Sequence, residues 1–232
     1  MLSAGTPAVR YGCRSCGGAS GAYPSGNPIN VWRSSRVLQG EERSKVVSLV
    51  IETEDYKVVS RQLGELGFQP MVEEAFAAEA EEVREGVVTR WLGISLGFAR
   101  KGEGVSLAAV FLLEPSHRSF VYKLDQEKKR IVLVGGTVRG KSIILQSGGA
   151  STLSSCPPCY ALVNECVSID LACVANNCYD CYDACVTSFP VCVGCLIFWC
   201  GFGSLYMCCN FQLVCEPCTP DMTYLPECMG CF

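Results

Sequence analysis

The chain of 232 residues has only one histidine, and no lysine, arginine or histidine follows Lys141. Seven acidic residues lie beyond that point, so the C-terminal part carries a formal charge of −7, whereas everything up to Lys141 carries +3. Because nucleic-acid binding relies on lysine and arginine to neutralise phosphates, we expect no nucleic-acid partner. The lack of histidine also excludes C-terminal zinc sites that combine cysteine with histidine.

No secretory signal is visible in residues 1–40, where the longest uncharged apolar runs have three or four residues. This segment is rich in Gly, Ser, Pro and Arg and shows no apolar periodicity. We predict that it forms a flexible arm. Cys13 and Cys16 have the spacing of a zinc knuckle but no second pair nearby, and we interpret them as an incidental pair.

No catalytic set is predicted, and we expect neither enzyme activity nor a cofactor. His117 lies in a polar turn, where a solvated side chain is expected rather than a general base. Residues 135–142 match the pattern of a phosphate-binding loop, Gly-x-x-x-x-Gly-Lys-Ser. Such a loop requires a helix that begins at Lys141, but Gly148 and Gly149 follow after barely one turn. We therefore predict a glycine hairpin between two strands.

Residues 41–146, called the first module below, have the pattern of an α+β domain with an antiparallel sheet. Thr53 is predicted to begin a helix, because its side chain can cap the helix and acidic residues follow it. Gly67 is predicted to end that helix. The predicted elements are a strand over 45–51, helices over 53–67 and 71–84, and strands over 87–98, 105–113, 120–124 and 131–134, with a turn at 101–104.

Small and polar residues over 147–155 predict an exposed Gly/Ser linker. Exposed segments of this kind are preferred sites of proteolysis. Gly148, Gly149 and Ala150 are the predicted cleavage region, and a processing protease is the expected partner.

Residues 156–232, called the cysteine-rich module below, contain sixteen of the 18 cysteines. Five pairs have Cys-x-x-Cys spacing, which is compatible with disulfides, with thiolates that bind metal, or with redox-active dithiols. Four zinc sites of four thiolates would add about eight negative charges to a module that has no cation, whereas disulfides are neutral. We therefore predict a disulfide framework, whose connectivity the sequence does not define. Its members are Cys156, Cys159, Cys166, Cys173, Cys178, Cys181, Cys185, Cys192, Cys195, Cys200, Cys208, Cys209, Cys215, Cys218, Cys228 and Cys231.

The spacing of these cysteines predicts that the module is mainly helical. Cys159, Cys166 and Cys173 recur at intervals of seven, as on one face of a helix, and the cysteines from Cys178 to Cys192 predict a second helix. The alternative is a zinc- or copper-binding module. The best candidate ligands for zinc are Cys215, Cys218, Cys228 and Cys231.

A long uncharged run lies between Ala184 and Cys215, and it is strongly apolar around Leu196 and Trp199. It exceeds the roughly 20 residues that a membrane-spanning helix needs. We predict that it forms instead the buried core of a small cross-linked domain, able to meet a target-cell membrane or a membrane receptor when exposed.

The cysteine-rich module opens with the sequence CPPCYALVNEC over Cys156–Cys166. This opening, the preceding α+β part and linker, and the lack of basic residues resemble the precursors of halocin-type bacteriocins, the archaeal microhalocins and their bacterial relatives. The resemblance implies that the cysteine-rich module is cut free and secreted after processing as an antimicrobial peptide. It also implies that the first module binds this peptide and gives the producer immunity.

Overall fold

A computed structural model describes residues 31–84, 86–145, 156–200 and 208–232. All ten strands within these residues belong to one antiparallel sheet. In chain order the strands are β1 (Val31–Leu38), β2 (Phe68–Pro70), β3 (Phe76–Arg84), β4 (Val87–Arg100), β5 (Val105–Glu114), β6 (Arg118–Asp125), β7 (Arg130–Val138), β8 (Lys141–Ser142), β9 (Tyr160–Asp170) and β10 (Cys209–Pro217). The helices are α1 (Gly40–Ile51), α2 (Glu54–Glu65), α3 (Leu171–Asn177), α4 (Tyr179–Thr187) and α5 (Phe189–Cys195).

The strand order in the sheet is β1-β3-β4-β5-β6-β7-β9-β10, with β2 paired to β4 and β8 paired to β7. The predicted α+β fold with an antiparallel sheet, followed by a disulfide-rich module, is confirmed. The cysteine-rich module is only partly helical, because it contributes β9 and β10 to the sheet.

The helix predicted from Thr53 is present as α2. The Thr53 hydroxyl accepts a hydrogen bond from the Tyr56 amide at 3.2 Å and so caps the helix. Val59 and Leu63, one turn apart, are buried. Gly67 follows the helix with a φ of +84°, a left-handed conformation that favours glycine.

Two predictions in the first module are wrong. Residues 45–51 belong to α1 and not to a strand, because Val46, Val47 and Val50 lie on one buried helical face. Residues 76–84 form β3 and not a helix. Pairing of β3 with β1 on one side and with β4 on the other overrides the helix propensity of its Ala and Glu residues.

The remaining predictions for the first module agree with the structure. The strands predicted from residue 87 to 134 are β4 to β7, which pair as successive hairpins, and residues 101–104 form the predicted turn. Part of the segment expected to be an arm is ordered, since β1 occupies Val31–Leu38. The rest of the arm, with Cys13 and Cys16, and the linker over 147–155 lie outside the described residues.

The helix predicted from the Cys159, Cys166 and Cys173 spacing is also wrong. The segment between the first two of these cysteines is the β-branched and apolar strand β9, which pairs with β10 over most of its length. The second predicted helix is divided into α4 and α5 at Ser188, whose backbone is extended. Pro190 lies in the first turn of α5, where its missing N–H is tolerated.

The central sheet is covered on both faces. One face carries α1 and α2 and forms a core that includes Val50, Phe98 and Phe111. The other face carries α5 and the residues after it, in a second core that includes Val193 and Phe198. The cysteine-rich module therefore shares a hydrophobic core with the first module. Among the described residues, no helix is long and apolar enough to cross a membrane.

Candidate functional site: the interface between the two modules

Among the residues that the structure describes, seven disulfides have both cysteines placed, and all seven lie within the cysteine-rich module. Fifteen of the sixteen cysteines predicted for the framework are disulfide-bonded, Cys178 among them; the side chain of Cys200 lies outside the described part. The pairs are Cys156–Cys215, Cys159–Cys231, Cys166–Cys209, Cys173–Cys208, Cys181–Cys195, Cys185–Cys192 and Cys218–Cys228. Disulfides at this density are typical of extracellular and secreted proteins.

The four cysteines of the alternative zinc site are divided among three disulfides. Cys215 bonds to Cys156, Cys231 bonds to Cys159, and Cys218 and Cys228 bond to each other. Their sulfur atoms are therefore bonded to sulfur and do not form a set of four thiolates. Within the described residues no group of three or more Cys, His, Asp or Glu side chains could hold a metal ion.

The apolar part of the interface is built by α5 and the helical turn that follows it, Leu196–Cys200. Residues 192–198 are buried, as predicted for the apolar run; residues 201–207 lie outside the described part. The sheet presents small residues to α5, among them Ala78 on β3, Ser95 and Gly97 on β4, and Ala108 on β5. These small side chains allow the helix backbone to approach the sheet closely.

Two glycines show how close this packing is. A Cβ atom added to Gly194 of α5 would lie 2.3 Å from Cδ1 of Phe76 on β3. A Cβ atom added to Gly97 of β4 would lie 2.8 Å from Cγ of Pro190 on α5. Neither position has room for a side chain unless a neighbour moves, so the two modules fit each other closely at this contact.

Backbone hydrogen bonding joins the modules at two further places. Strand β9 pairs with β7 of the first module, with Ile169 opposite Ile131 at the centre of the paired segment. Ile144, near the end of the first module, exchanges two hydrogen bonds with Cys215 of β10, at N···O distances of 3.0 and 3.1 Å. The cysteine-rich module is therefore an integral part of the sheet.

A cluster of ionisable side chains lies in the same interface. Glu216 of β10 is buried, with its side chain 4% exposed, and its Oε1 lies 3.9 Å from Nη1 of Arg118 on β6. Within the described part of the chain this oxygen has no hydrogen-bond partner. Burial, and then the neighbouring Glu216 carboxylate, raise the pKa of Glu165 on β9 to about 8. Burial and the nearby Glu165 raise the pKa of Tyr122 on β6.

Charges of opposite sign meet across the interface. The Asp221 carboxylate has a lowered pKa, because it accepts a hydrogen bond from Thr219 and lies near Arg139 and Arg118 of the first module. The two parts of the chain carry formal charges of opposite sign, +3 and −7, but this cluster was not predicted from the sequence. The available signal was two glutamates, each two residues after a valine in a segment with a strand pattern.

The residues that match a phosphate-binding loop form the predicted hairpin. Strand β7 ends at Val138, Gly140 has a φ of +77°, and Lys141 begins β8 instead of a helix. His117 is exposed in a turn, as predicted, and its carbonyl accepts a hydrogen bond from the Arg139 amide at 3.1 Å. The predicted cleavage region, Gly148 to Ala150, lies outside the described residues.

Comparisons of the chain with protein-family models, with curated proteins and with solved structures gave no match.

Proposed function

We propose that the chain is the precursor of a secreted, disulfide-cross-linked antimicrobial peptide. The cysteine-rich module is the peptide, and the first module covers it before processing and gives immunity by binding it afterwards. The observation that carries this proposal is the burial of α5 and Leu196–Phe198 against the sheet of the first module.

The arrangement of covalent bonds supports the same function. Each of the seven disulfides lies within the cysteine-rich module, so a cut between Leu145 and Cys156 would leave this cross-linked framework intact. A small domain whose core is supplemented by disulfides can stay folded after such a cut. Disulfides also persist in oxidising environments, which agrees with secretion of the processed peptide.

The charge of the free peptide limits how it can act. With seven acidic and no basic residues it is not attracted electrostatically to anionic lipid. Its action therefore depends on the apolar surface of α5 and the following turn, which meets either the target-cell membrane or a receptor within it. The first module covers that surface in the precursor.

A growth-inhibition assay tests this function. Residues 146–155 are replaced by a site-specific protease sequence, and three samples are compared on related strains: the uncut chain, the separated oxidised module, and the same module after reduction. We expect inhibition by the separated oxidised module alone, and loss of inhibition when the first module is added back in equimolar amount.

Inactivity of all three samples against a broad strain panel would contradict the proposal. If zinc or copper were also found in the purified cysteine-rich module, the metal-binding alternative would replace it.

A further inference from the structure

The first module contributes no cysteine to the disulfide framework, yet part of that framework packs against it. The sequence has no cysteine between Cys16 and Cys156. The core beneath α5 nevertheless combines residues of the first module, such as Ala108 and Phe120, with cysteines. Both cysteines of four disulfides lie in this core or pack against it. These disulfides, called the shared-core pairs below, are Cys166–Cys209, Cys173–Cys208, Cys181–Cys195 and Cys185–Cys192.

Two of the shared-core pairs involve consecutive cysteines. Cys208 bonds to Cys173, whereas Cys209 bonds to Cys166. Distance along the chain does not distinguish this pairing from the swapped one, in which Cys208 bonds to Cys166 and Cys209 bonds to Cys173. Cys208 is buried in the shared core, whereas Cys209 is only partly buried. The position of each side chain relative to the shared core therefore selects its partner.

The first module fixes these positions through its contacts with β9 and α3. Strand β9 lies between β7 of the first module and β10, with Ile169 opposite both Ile131 and Cys209. The start of α3, which carries Cys173, is also tied to the first module. There the Leu171 amide donates a hydrogen bond, at 3.1 Å, to the carbonyl of the residue that precedes β7.

The elements that carry the shared-core pairs are too small to be stable alone. Helices α3, α4 and α5 have 7, 9 and 7 residues. Isolated helices shorter than about 12–15 residues are marginal in water, and so is an isolated pair of strands such as β9 and β10. While its cysteines are reduced, the cysteine-rich module therefore depends on the sheet of the first module for a surface on which these elements can form.

One disulfide of the same module differs from the shared-core pairs. Cys218–Cys228 closes a loop with a separation of only 10 residues. Both cysteines are buried against Ala161, in a small cluster whose described members all belong to the cysteine-rich module. Formation of this disulfide therefore does not require the first module, and it provides an internal reference.

We propose that the first module is the template for oxidative folding of the cysteine-rich module: it places the reduced cysteines so that the shared-core pairs form in preference to other pairings. The first module is not the oxidant. In each pair one thiolate attacks a small-molecule disulfide, and the second thiolate then displaces the mixed disulfide. Each pair loses two electrons and two protons as its S–S bond forms, and these reduce the oxidant to two thiols. The template role does not depend on antimicrobial activity and so goes beyond the proposed function.

Reoxidation of the full chain tests the template. The chain is reduced and unfolded in denaturant and then diluted into a glutathione redox buffer. Free thiols are alkylated at intervals, and the disulfides are identified by mass spectrometry with fragmentation between Cys208 and Cys209. The parent chain is compared with two variants of α1, Val50→Asp and Leu49→Asp.

The two variants differ in burial. Val50 is fully buried in the core on the face of the sheet opposite α5, so Val50→Asp destabilises the first module without touching a cysteine. Leu49, its neighbour in the same helix, is 46% exposed, and Leu49→Asp is therefore the matched control.

The size of the expected effect follows from counting. Eight cysteines allow about 105 connectivities, and any one pair occurs in about 15 of them. In Val50→Asp we therefore expect the yields of Cys166–Cys209 and Cys173–Cys208 to fall by up to about sevenfold, with swapped pairs in their place. Cys218–Cys228 should keep its parental yield. Leu49→Asp should give parental yields of all three disulfides.

A second measurement needs no destabilised variant. The chain with a protease site in place of residues 146–155 is cut after its disulfides have formed, then reduced, unfolded and reoxidised at decreasing protein concentration. Because the two pieces must now meet by diffusion, yields of the shared-core pairs should fall with dilution in the cut chain and stay constant in the uncut chain. The yield of Cys218–Cys228 should not depend on dilution in either sample.

Parental yields of the shared-core pairs in Val50→Asp would overturn the proposal, and so would yields in the cut chain that do not change with dilution. An equal loss of Cys218–Cys228 would also overturn it, because it would show a general failure of folding. Failure of the parent chain to regain the shared-core pairs would count against the template in the same way. None of these measurements uses growth inhibition, so the template and the antimicrobial activity are tested separately.

Discussion

Asp55 is a buried carboxylate in the first turn of α2, and it connects that helix to the sheet. It accepts hydrogen bonds from the Thr137 hydroxyl at 2.5 Å and from the Gly140 amide at 2.9 Å. The Thr137 hydroxyl in turn lies 2.7 Å from that of Ser119. The helix start favours a negative charge at this position. One side chain therefore fixes the β7–β8 hairpin, whose sequence matches a nucleotide-binding loop.

We expect Asp55→Ala to lower the free energy of unfolding by about 2–4 kcal/mol, because it leaves buried donors without their charged acceptor. Urea denaturation with disulfides intact measures this. Glu65→Ala, at an exposed acid of the same helix, is the control and should change stability by less than about 0.5 kcal/mol. Equal effects of the two variants would show that the Asp55 hydrogen bonds contribute little.

At the level of elements, α5 packs on small residues of the sheet together with the ring of Phe76. The contact between Gly194 and the Phe76 ring sets the distance between helix and sheet. A glycine within a helix normally lowers its stability. Its presence at position 194 indicates that the close approach of α5 to the sheet outweighs this loss.

Gly194→Ala should therefore lower the free energy of unfolding of the intact chain by about 1–3 kcal/mol through overpacking. Gly64→Ala is the matched variant, since Gly64 is also helical but no described atom lies within 4 Å of its added Cβ. It should raise stability by up to about 1 kcal/mol. Thermal unfolding of both variants beside the parent chain would show opposite shifts; a stabilising Gly194→Ala would contradict the close packing.

The hairpins β4 to β7 and helix α2 could be predicted because local signals agree with the final structure: alternating apolar residues, turn glycines and the Thr53 cap. Residues 45–51 could not, because a short β-branched run fits a buried strand as well as a buried helix. The Ala and Glu residues of β3 favour a helix locally, and only pairing with β1 and β4 makes them a strand. In β9, the seven-residue spacing of the cysteines predicted a helix, although the residues between them are apolar and β-branched, as in a strand.

For the candidate site, the cysteine-rich framework and the buried apolar run followed from composition. The disulfide partners did not, since pairs such as Cys166–Cys209, 43 residues apart, join β9 to β10, and the pairing of these strands is not visible in the sequence. On the same two strands Glu165 lies opposite Gln212 and Glu216 lies opposite Ala161, and Arg118 of β6 lies beside Glu216. Such a cluster cannot be predicted from the sequence, because its members are far apart in the chain and each acid alone is expected on the exposed face of a strand.

At the scale of the whole molecule, the disulfides between described residues differ widely in loop length, with separations from 7 to 72 residues. Cys156–Cys215 and Cys159–Cys231 close loops with separations of 59 and 72 residues and tie the two ends of the cysteine-rich module together. Cys185–Cys192 closes a loop with a separation of only 7 residues between α4 and α5. Long loops restrict the unfolded chain more than short ones.

We expect replacement of both Cys156 and Cys215 by alanine to destabilise the chain by about 4 kcal/mol, against about 2 kcal/mol for Cys185 and Cys192. Denaturant midpoints under oxidising conditions provide the comparison. Because both cysteines of a pair are removed, neither variant is left with an unpaired thiol from that pair. A larger loss of stability on replacing Cys185 and Cys192 would indicate that loop-closure entropy is not the main source of stabilisation by these disulfides.

The connection from Leu145 to Cys156, ten residues long, also sets the concentration at which the two modules meet. While this connection is intact, the cysteine-rich module and the first module of the same chain meet at an effective concentration on the order of millimolar, whatever the total protein concentration. If the chain is cut as proposed, the fraction of cysteine-rich modules that stay bound to a first module follows mass action. A complex with a dissociation constant on the order of 1 µM would stay assembled where both pieces accumulate and come apart on dilution into the surrounding medium. Under the proposed function, distance from the producing cell would then determine how much of the peptide is free of the first module.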